Sequence, residues 1–182
     1  MAYSQQVYET SKHQSPKEIR FVFVSTGARR ISKIIQYTYA YQFENRDVYN
    51  LGFGDYNPDL DQFEDLVTTG NSDTYKVFNT VLSTIPSFFE MYDDAILMVT
   101  GSDSGPDFAR ECRKTCLRKC LTCCKKFNQR VTIYRNYVDK YFCDLSLSYW
   151  FLGGFMHGNR DMTTERYIPG RKYDVIFMFK KL

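Results

Sequence analysis

The sequence predicts an α+β fold: a single mixed or antiparallel sheet of about six strands, in the order β-β-β-α-β-α-β-β, with a kinked helix and a long basic helix packed on one face. Three observations carry this expectation. Stretches near both ends of the chain alternate apolar and polar residues with a period of two. Residues 106–142 instead repeat their apolar positions in steps of three and four, close to the helical repeat of ~3.6. Aromatic residues make up 17% of the chain, and rings pack well on a pleated surface.

Residues 1–17 are polar and show no sustained periodicity, which predicts a flexible N-terminal arm before a single α+β domain over 18–182. The apolar run Ile19-Arg20-Phe21-Val22-Phe23-Val24 ends at Ser25-Thr26-Gly27, a strand followed by a turn. Ile35, Tyr37, Tyr39, Tyr41 and Phe43 alternate with polar or small residues, giving a half-buried second strand. The turn Asn45-Arg46-Asp47 leads into a third, antiparallel strand over 48–53. Residues 54–72 hold Asp55, Asp59, Asp61, Glu64 and Asp65 without regular spacing and read as an acidic loop.

Ser72 or Asp73 then caps a helix that carries Val77, Val81, Ile85, Phe88, Phe89 and Tyr92 on one side and is kinked by Pro86. Residues 95–99 are continuously apolar, as in a strand covered on both faces. Phe108, Cys112, Cys116, Cys120, Cys123, Phe127, Val131, Tyr134, Val138 and Tyr141 form the stripe of the long helix, with Ser104 as cap and Pro106 in its first turn. A break at Phe127-Asn128, giving two helices, is the alternative. Alternation from Leu145 to Phe151 predicts a strand ended by Gly153-Gly154, then a loop over 155–171 and a last strand over 173–179.

Charge is distributed unevenly: the net +3 conceals −11 over residues 44–107 and +8 over 108–135. The polar N-terminus lacks the apolar core of a secretory signal, so six free thiols in a reducing cytoplasm are expected. No apolar run approaches the ~18 residues of a membrane span, so no integral membrane segment is expected.

The leading functional expectation is a non-enzymatic binding module of accessory or defence type. Its basic helix face presents Arg113, Lys114, Arg118, Lys125 and Arg130 to nucleic acid or another polyanion. Solvation, neutralisation by an acidic protein partner, or burial in a homodimer are the plainer fates of such a face. The competing expectation is an enzyme acting on a phosphate-containing substrate. It places Asp55, Asp73 and Asp103 as acid/base or metal-binding groups and Gly101, Ser102, Gly105, Lys76 and Arg110 around the anion, where the strands over 48–53 and 95–99 end. Read more plainly, these acids are helix caps and turn formers, and neither glycine block has the full spacing of a phosphate-binding fingerprint.

No cofactor is expected, and a divalent metal belongs to the competing reading alone. Cys112, Cys116, Cys120 and Cys124 would climb one helix over roughly 18 Å at ~1.5 Å per residue, too far for one zinc ion. The thiol stripe therefore reads as core packing. His13 and His157 are the chain's two histidines, and neither stands beside a partner that makes it a general base.

Several blocks together resemble an uncharacterised family of small proteins from Bacteroidota-type bacteria. They are Tyr49-Asn50-Leu51-Gly52-Phe53-Gly54-Asp55, Asn71-Ser72-Asp73 with Lys76-Val77, Gly101-Ser102, and a closing strand from Tyr173 ending in Phe179-Lys180-Lys181. The resemblance runs over roughly residues 18–182 and departs at 103–109, an insertion before Arg110. It implies a bacterial, cytoplasmic, single-domain protein and supplies no catalytic residues.

Overall fold

The computed structural model describes residues 6–64, 71–101, 103, 104, 106–115, 120, 124, 127–157 and 161–181. It is an α+β structure, and its chain divides into two compact units, Met1–Ala95 and Ile96–Leu182.

In the first unit, β1 (Ser11–Ser15), β2 (Glu18–Thr26), β3 (Arg30–Phe43) and β4 (Arg46–Asn57) pair antiparallel in chain order, and β5 (Gln62–Glu64) folds back on the end of β4. Residues 11–15, read from sequence as arm, form β1; its side chains are all exposed, so it carries no hydrophobic signal and is held by its ladder to β2. On one face of β2 to β4, Ile19, Tyr37 and Leu51 lie in one cross-strand row, Phe21, Ile35 and Phe53 in the next, and Phe23, Lys33 and Asp55 in the third. Two rows are wholly apolar; the third ends in opposite charges.

That face is covered by α1 (Thr74–Ser83) and α2 (Ile85–Met91), which bury Val77, Val81, Ile85, Phe88 and Phe89. Phe88 stacks on Tyr37 at 4.8 Å and meets Tyr49 edge-on at 5.4 Å. Each fully buried ring of this kind contributes roughly 1.5–3 kcal/mol relative to exposure. The predicted kink falls at Thr84, which separates the helices with Pro86 in the first turn of α2. Thr84 Oγ1 donates to Val81 O at 2.6 Å and accepts from Tyr37 OH at 2.7 Å, tying the break to the sheet.

The second strand starts earlier than predicted, at Arg30, and its Tyr41 and Phe43 are exposed rather than half-buried. Both lie past a register shift between Tyr39 and Tyr41 and beyond the last pair with β2, Glu18 with Thr38. The hairpin turns at Glu44 and Asn45, with φ of 50° and 64°, the pair of left-handed residues that a tight two-residue hairpin requires. β4 runs on to Asn57, so Asp55 belongs to a strand and not to the acidic loop. Beyond it, Asn57 Oδ1 accepts from Asp59 N at 3.1 Å, and this turn aims the chain into β5.

In the second unit, β6 (Ile96–Thr100) pairs antiparallel with β9 (Val175–Lys180), β9 with β7 (Tyr149–His157), and β7 with β8 (Asp161–Arg166). β8 occupies part of the predicted 155–171 loop; its sequence, Asp-Met-Thr-Thr-Glu-Arg, buries little and holds Met162 as its one apolar residue, too few to read as a pattern. Nine strands are present among the described residues, where about six were predicted.

The predicted single helix over 106–142 is replaced by α3 (Pro106–Thr115) and α4 (Gln129–Ser148). Cys120 and Cys124 lie in non-helical backbone, and Asn128, with φ of 58°, starts the new helix at the alternative break. α4 continues to Ser148, so Leu145 and Leu147 are helical and the strand begins at Tyr149. The residues 145–148 were too few to distinguish a two-residue period from the last turn of a helix. One face of the β6, β9 and β7 sheet carries Leu97, Val99, Met178, Ile176 and Phe151, all buried, with Phe142 of α4 against Phe151 at 5.9 Å. Gly153 lies beneath the ring of Tyr173, which a Cβ at that position would strike.

Candidate functional site

The charged row of the first unit is a built polar site. Lys33 Nζ donates to Asp55 Oδ1, and their side chains are 6% and 10% exposed. Both face inward because strand parity puts Lys33 in line with Ile35 and Tyr37, and Asp55 in line with Phe53 and Leu51. The ammonium also lies 5.7 Å from the centre of the Phe53 ring. Asp55, expected as a catalytic or metal-binding carboxylate, is thus one half of a buried ion pair.

The residues before α1 close over the same end of the sheet. Asp73 occupies the cap position of α1 by its backbone, since Val77 N donates to Asp73 O at 3.0 Å, but its carboxylate does not cap the helix as predicted. Instead Asp73 Oδ2 accepts from Ser25 Oγ at 2.6 Å and from Tyr8 OH at 2.8 Å. Burial raises the Asp73 pKa, but the hydrogen bonds from Ser25 and Tyr8, its own backbone N–H and the field of Lys33 outweigh it and hold the carboxyl below its ordinary value. Asn71 Nδ2 donates to Ser25 Oγ at 2.8 Å and to Arg29 O at 2.9 Å, while Asn71 Oδ1 accepts from Arg29 N. A Cβ at Gly27 would lie 2.9 Å from the Asn71 side chain, so the β2–β3 turn takes glycine there.

Lys76, expected to bind an anion, lies over the Tyr8 ring at 4.0 Å, and Tyr8 stacks on Phe23 at 5.4 Å. The first unit therefore brings together Asp55, Asp73 and Lys76 from the predicted list. It adds Tyr8, Ser25, Lys33 and Asn71, which the sequence reading missed. Lys33 had a readable signal: it is a charged residue at an inward parity position of an otherwise apolar strand face.

In the second unit, the chain turns after β6, with Ser104 N donating to Gly101 O at 3.1 Å. Asp103 is 4% exposed and accepts from Arg130 N through Oδ2 at 3.0 Å, while Asn128 N donates to Asp103 O at 3.2 Å. Asp103 therefore caps α4, taking the role that Asn128, with no cap hydrogen bond of its own, leaves open. A Cβ at Gly101 would collide with Asp103 Oδ1 and lie 2.6 Å from Ser104 Oγ, which restricts that position to glycine. Ser102 and Gly105, the other predicted anion-binding residues, lie outside the described residues.

The first-unit polar cluster and this turn both fall within one matched stretch of sequence. A family of unknown function (DUF6934) matches residues 4–106. The chain belongs to this family. The DUF6934 match spans every residue of the Tyr8, Ser25, Lys33, Asp55, Asn71 and Asp73 cluster and stops at the first residue of α3. No curated protein and no solved structure matches the chain.

The predicted basic face lies beyond the DUF6934 match. Arg110, Arg113 and Lys114 are exposed on α3, and Glu111 engages Lys114 at 2.8 Å and approaches Arg110 at 3.8 Å. Arg130, on α4, is half-buried, and burial lowers its pKa. Arg118 and Lys125 lie outside the described residues. Arg113 and Arg130 are not on one continuous helix, because Cys120 and Cys124, between α3 and α4, lie in non-helical backbone.

Of the predicted thiol stripe, Cys112 and Cys120 are both half-buried but Cys120 lies in non-helical backbone, while Cys116 and Cys123 lie outside the described residues; of the other cysteines, Cys124 is buried and Cys143 is exposed. Among the described residues, no group of three or more His, Cys, Asp and Glu is placed to hold a metal ion. Nor is any described helix long and apolar enough to cross a membrane.

Proposed function

We propose that this protein is a non-enzymatic polyanion-binding module with nucleic acid as its partner, and that α3 supplies the first contacts. The observation that carries the reading is the spacing of Arg110, Arg113 and Lys114. At i, i+3 and i+4 they share one face of a ten-residue helix, and all three are exposed. Glu111 offsets part of this charge, so the face is moderately positive. The sequence continues into Arg118, Lys119, Lys125 and Lys126, which concentrates cations in the same segment.

The carboxylates that an enzyme reading requires are engaged otherwise, Asp55 with Lys33 and Asp103 with the start of α4. A protein that neutralises a few phosphates releases that many counterions, so its affinity falls with salt at a slope of about −0.9 per phosphate on duplex DNA. The test is fluorescence anisotropy of a labelled oligonucleotide at several salt concentrations, with wild type and Arg113→Glu/Lys114→Glu. Binding that weakens with salt, and a slope about two units shallower in the variant, is expected. No binding at low salt, or binding indifferent to the double reversal, overturns the proposal.

A further inference from the structure

The second unit carries a surface that none of the predicted sites includes. Trp150, the chain's one tryptophan, is 52% exposed on β7. Its neighbour Phe151 faces α4, so alternation places Trp150 on the opposite side of the sheet with Leu152 and Met156. In register, Trp150 stands across from Phe179 of β9, Leu152 across from Arg166 of β8, and Met156 across from Met162. Two cations converge on the indole: Lys181 Nζ at 4.2 Å from the ring centre and the Arg166 guanidinium at 5.5 Å. Lys181 Nζ also donates to Ser146 O. Among the described residues neither cation makes an ion pair.

We infer that this sheet face is a stacking platform for single-stranded nucleic acid, with a base on Trp150 and the flanking phosphates on Arg166 and Lys181. The inference rests on the nucleic-acid reading above and narrows it. An exposed indole gains most from a flat, polarisable partner, and unpaired bases offer one where a duplex hides its base faces. The two cations beside the ring supply the charge complement of the adjoining backbone. The open part of this face is the strip of β7 and β8, since Phe177 of β9, across from Leu152, is buried; an extended single strand can lie along such a strip with a base turned toward it.

The single tryptophan makes the site its own reporter. Oligothymidylate is titrated into the full-length protein while Trp150 emission is followed, with a duplex of equal length and phosphatidylserine vesicles as the other arms. The expected result is saturable quenching by oligothymidylate. Trp150→Leu is expected to weaken single-strand binding by roughly 5- to 150-fold, the range of one base–aromatic stack. Trp150→Phe retains a ring and is expected to recover much of that loss, and duplex binding is expected to change little in either variant.

Oligonucleotide binding that depends on Arg113 and Lys114, leaves Trp150 emission unchanged and is untouched by Trp150→Leu overturns the platform and leaves the polyanion module standing. Absence of binding to any oligonucleotide overturns both. A blue shift with vesicles and no quenching by oligothymidylate overturns the platform in favour of an anionic lipid surface.

Discussion

Replacing Lys33 with methionine keeps much of the side-chain volume and removes its charge, which leaves the Asp55 carboxylate buried without its counter-ion. The pair is 6% and 10% exposed, so water can do little to restore the lost solvation. Breaking a buried pair in this way costs about 3–5 kcal/mol. The contact with the Phe53 ring, at 5.7 Å, adds a smaller loss of about 0.5–1 kcal/mol. With a urea m-value of about 2 kcal/mol/M, the combined loss is expected to lower the unfolding midpoint by roughly 1.8–3 M.

The second arm is Lys33→Met/Asp55→Leu, which removes both charges and fills the site with apolar atoms. Such replacements are often neutral or stabilising, so the double variant is expected to recover most of the loss. Urea unfolding followed by far-ultraviolet circular dichroism reads both variants. A Lys33→Met midpoint within ~0.5 M of wild type, or a double variant no better than the single, would refute the reasoning that desolvation of the unpaired carboxylate dominates.

Two further predictions concern titration and thiols. The Asp73 carboxyl is held below its ordinary value of about 3.8, so its contribution to stability is complete above that pH and is lost as pH falls through the folded-state value. Asp73→Asn is expected to lower stability at neutral pH and to flatten its dependence below about pH 4; parallel acid-unfolding curves for variant and wild type would count against the network. Cys143 is expected to react with a thiol reagent in the native protein, while Cys124, 8% exposed, reacts only on unfolding. Equal labelling rates at the two cysteines, read by peptide mass mapping, would contradict their burial.

The elements legible from sequence were those that bury one face. β2 alternates buried and half-buried residues through Ile19, Phe21 and Phe23, and the α1–α2 break follows from Pro86. β1 and β8 escaped because edge strands with polar side chains are held by backbone ladders, and a ladder leaves no mark on residue type. The 106–142 stripe had helical spacing throughout, yet the helix is interrupted: local periodicity records what a segment tolerates, and Asn128 in a left-handed conformation resets the backbone. Asp73 was visible as a helix-start acid, but its use as an acceptor for Ser25 and Tyr8 depends on tertiary placement of residues 48 and 65 positions away. Trp150 was read as one member of an alternating strand, and its two cations arrive from β8 and from the end of β9, which only the folded register brings alongside.

The cap on α4 bears on the order in which this unit assembles. A helix that carries its own cap can begin to form as soon as its first turn nucleates, whereas α4 receives its cap from Asp103, 27 positions before Arg130. Closing that loop costs chain entropy before the hydrogen bond can repay it. The turn at Gly101 must also be set first, because Asp103 reaches the helix only from a backbone that passes tightly around a missing side chain. The first turn of α4 is therefore expected to consolidate late, after β6 has fixed the position of residue 101, and amide hydrogens of that turn are expected to gain protection after those of β6 in pulse-labelling hydrogen exchange. The start of the helix is dictated by the end of a strand.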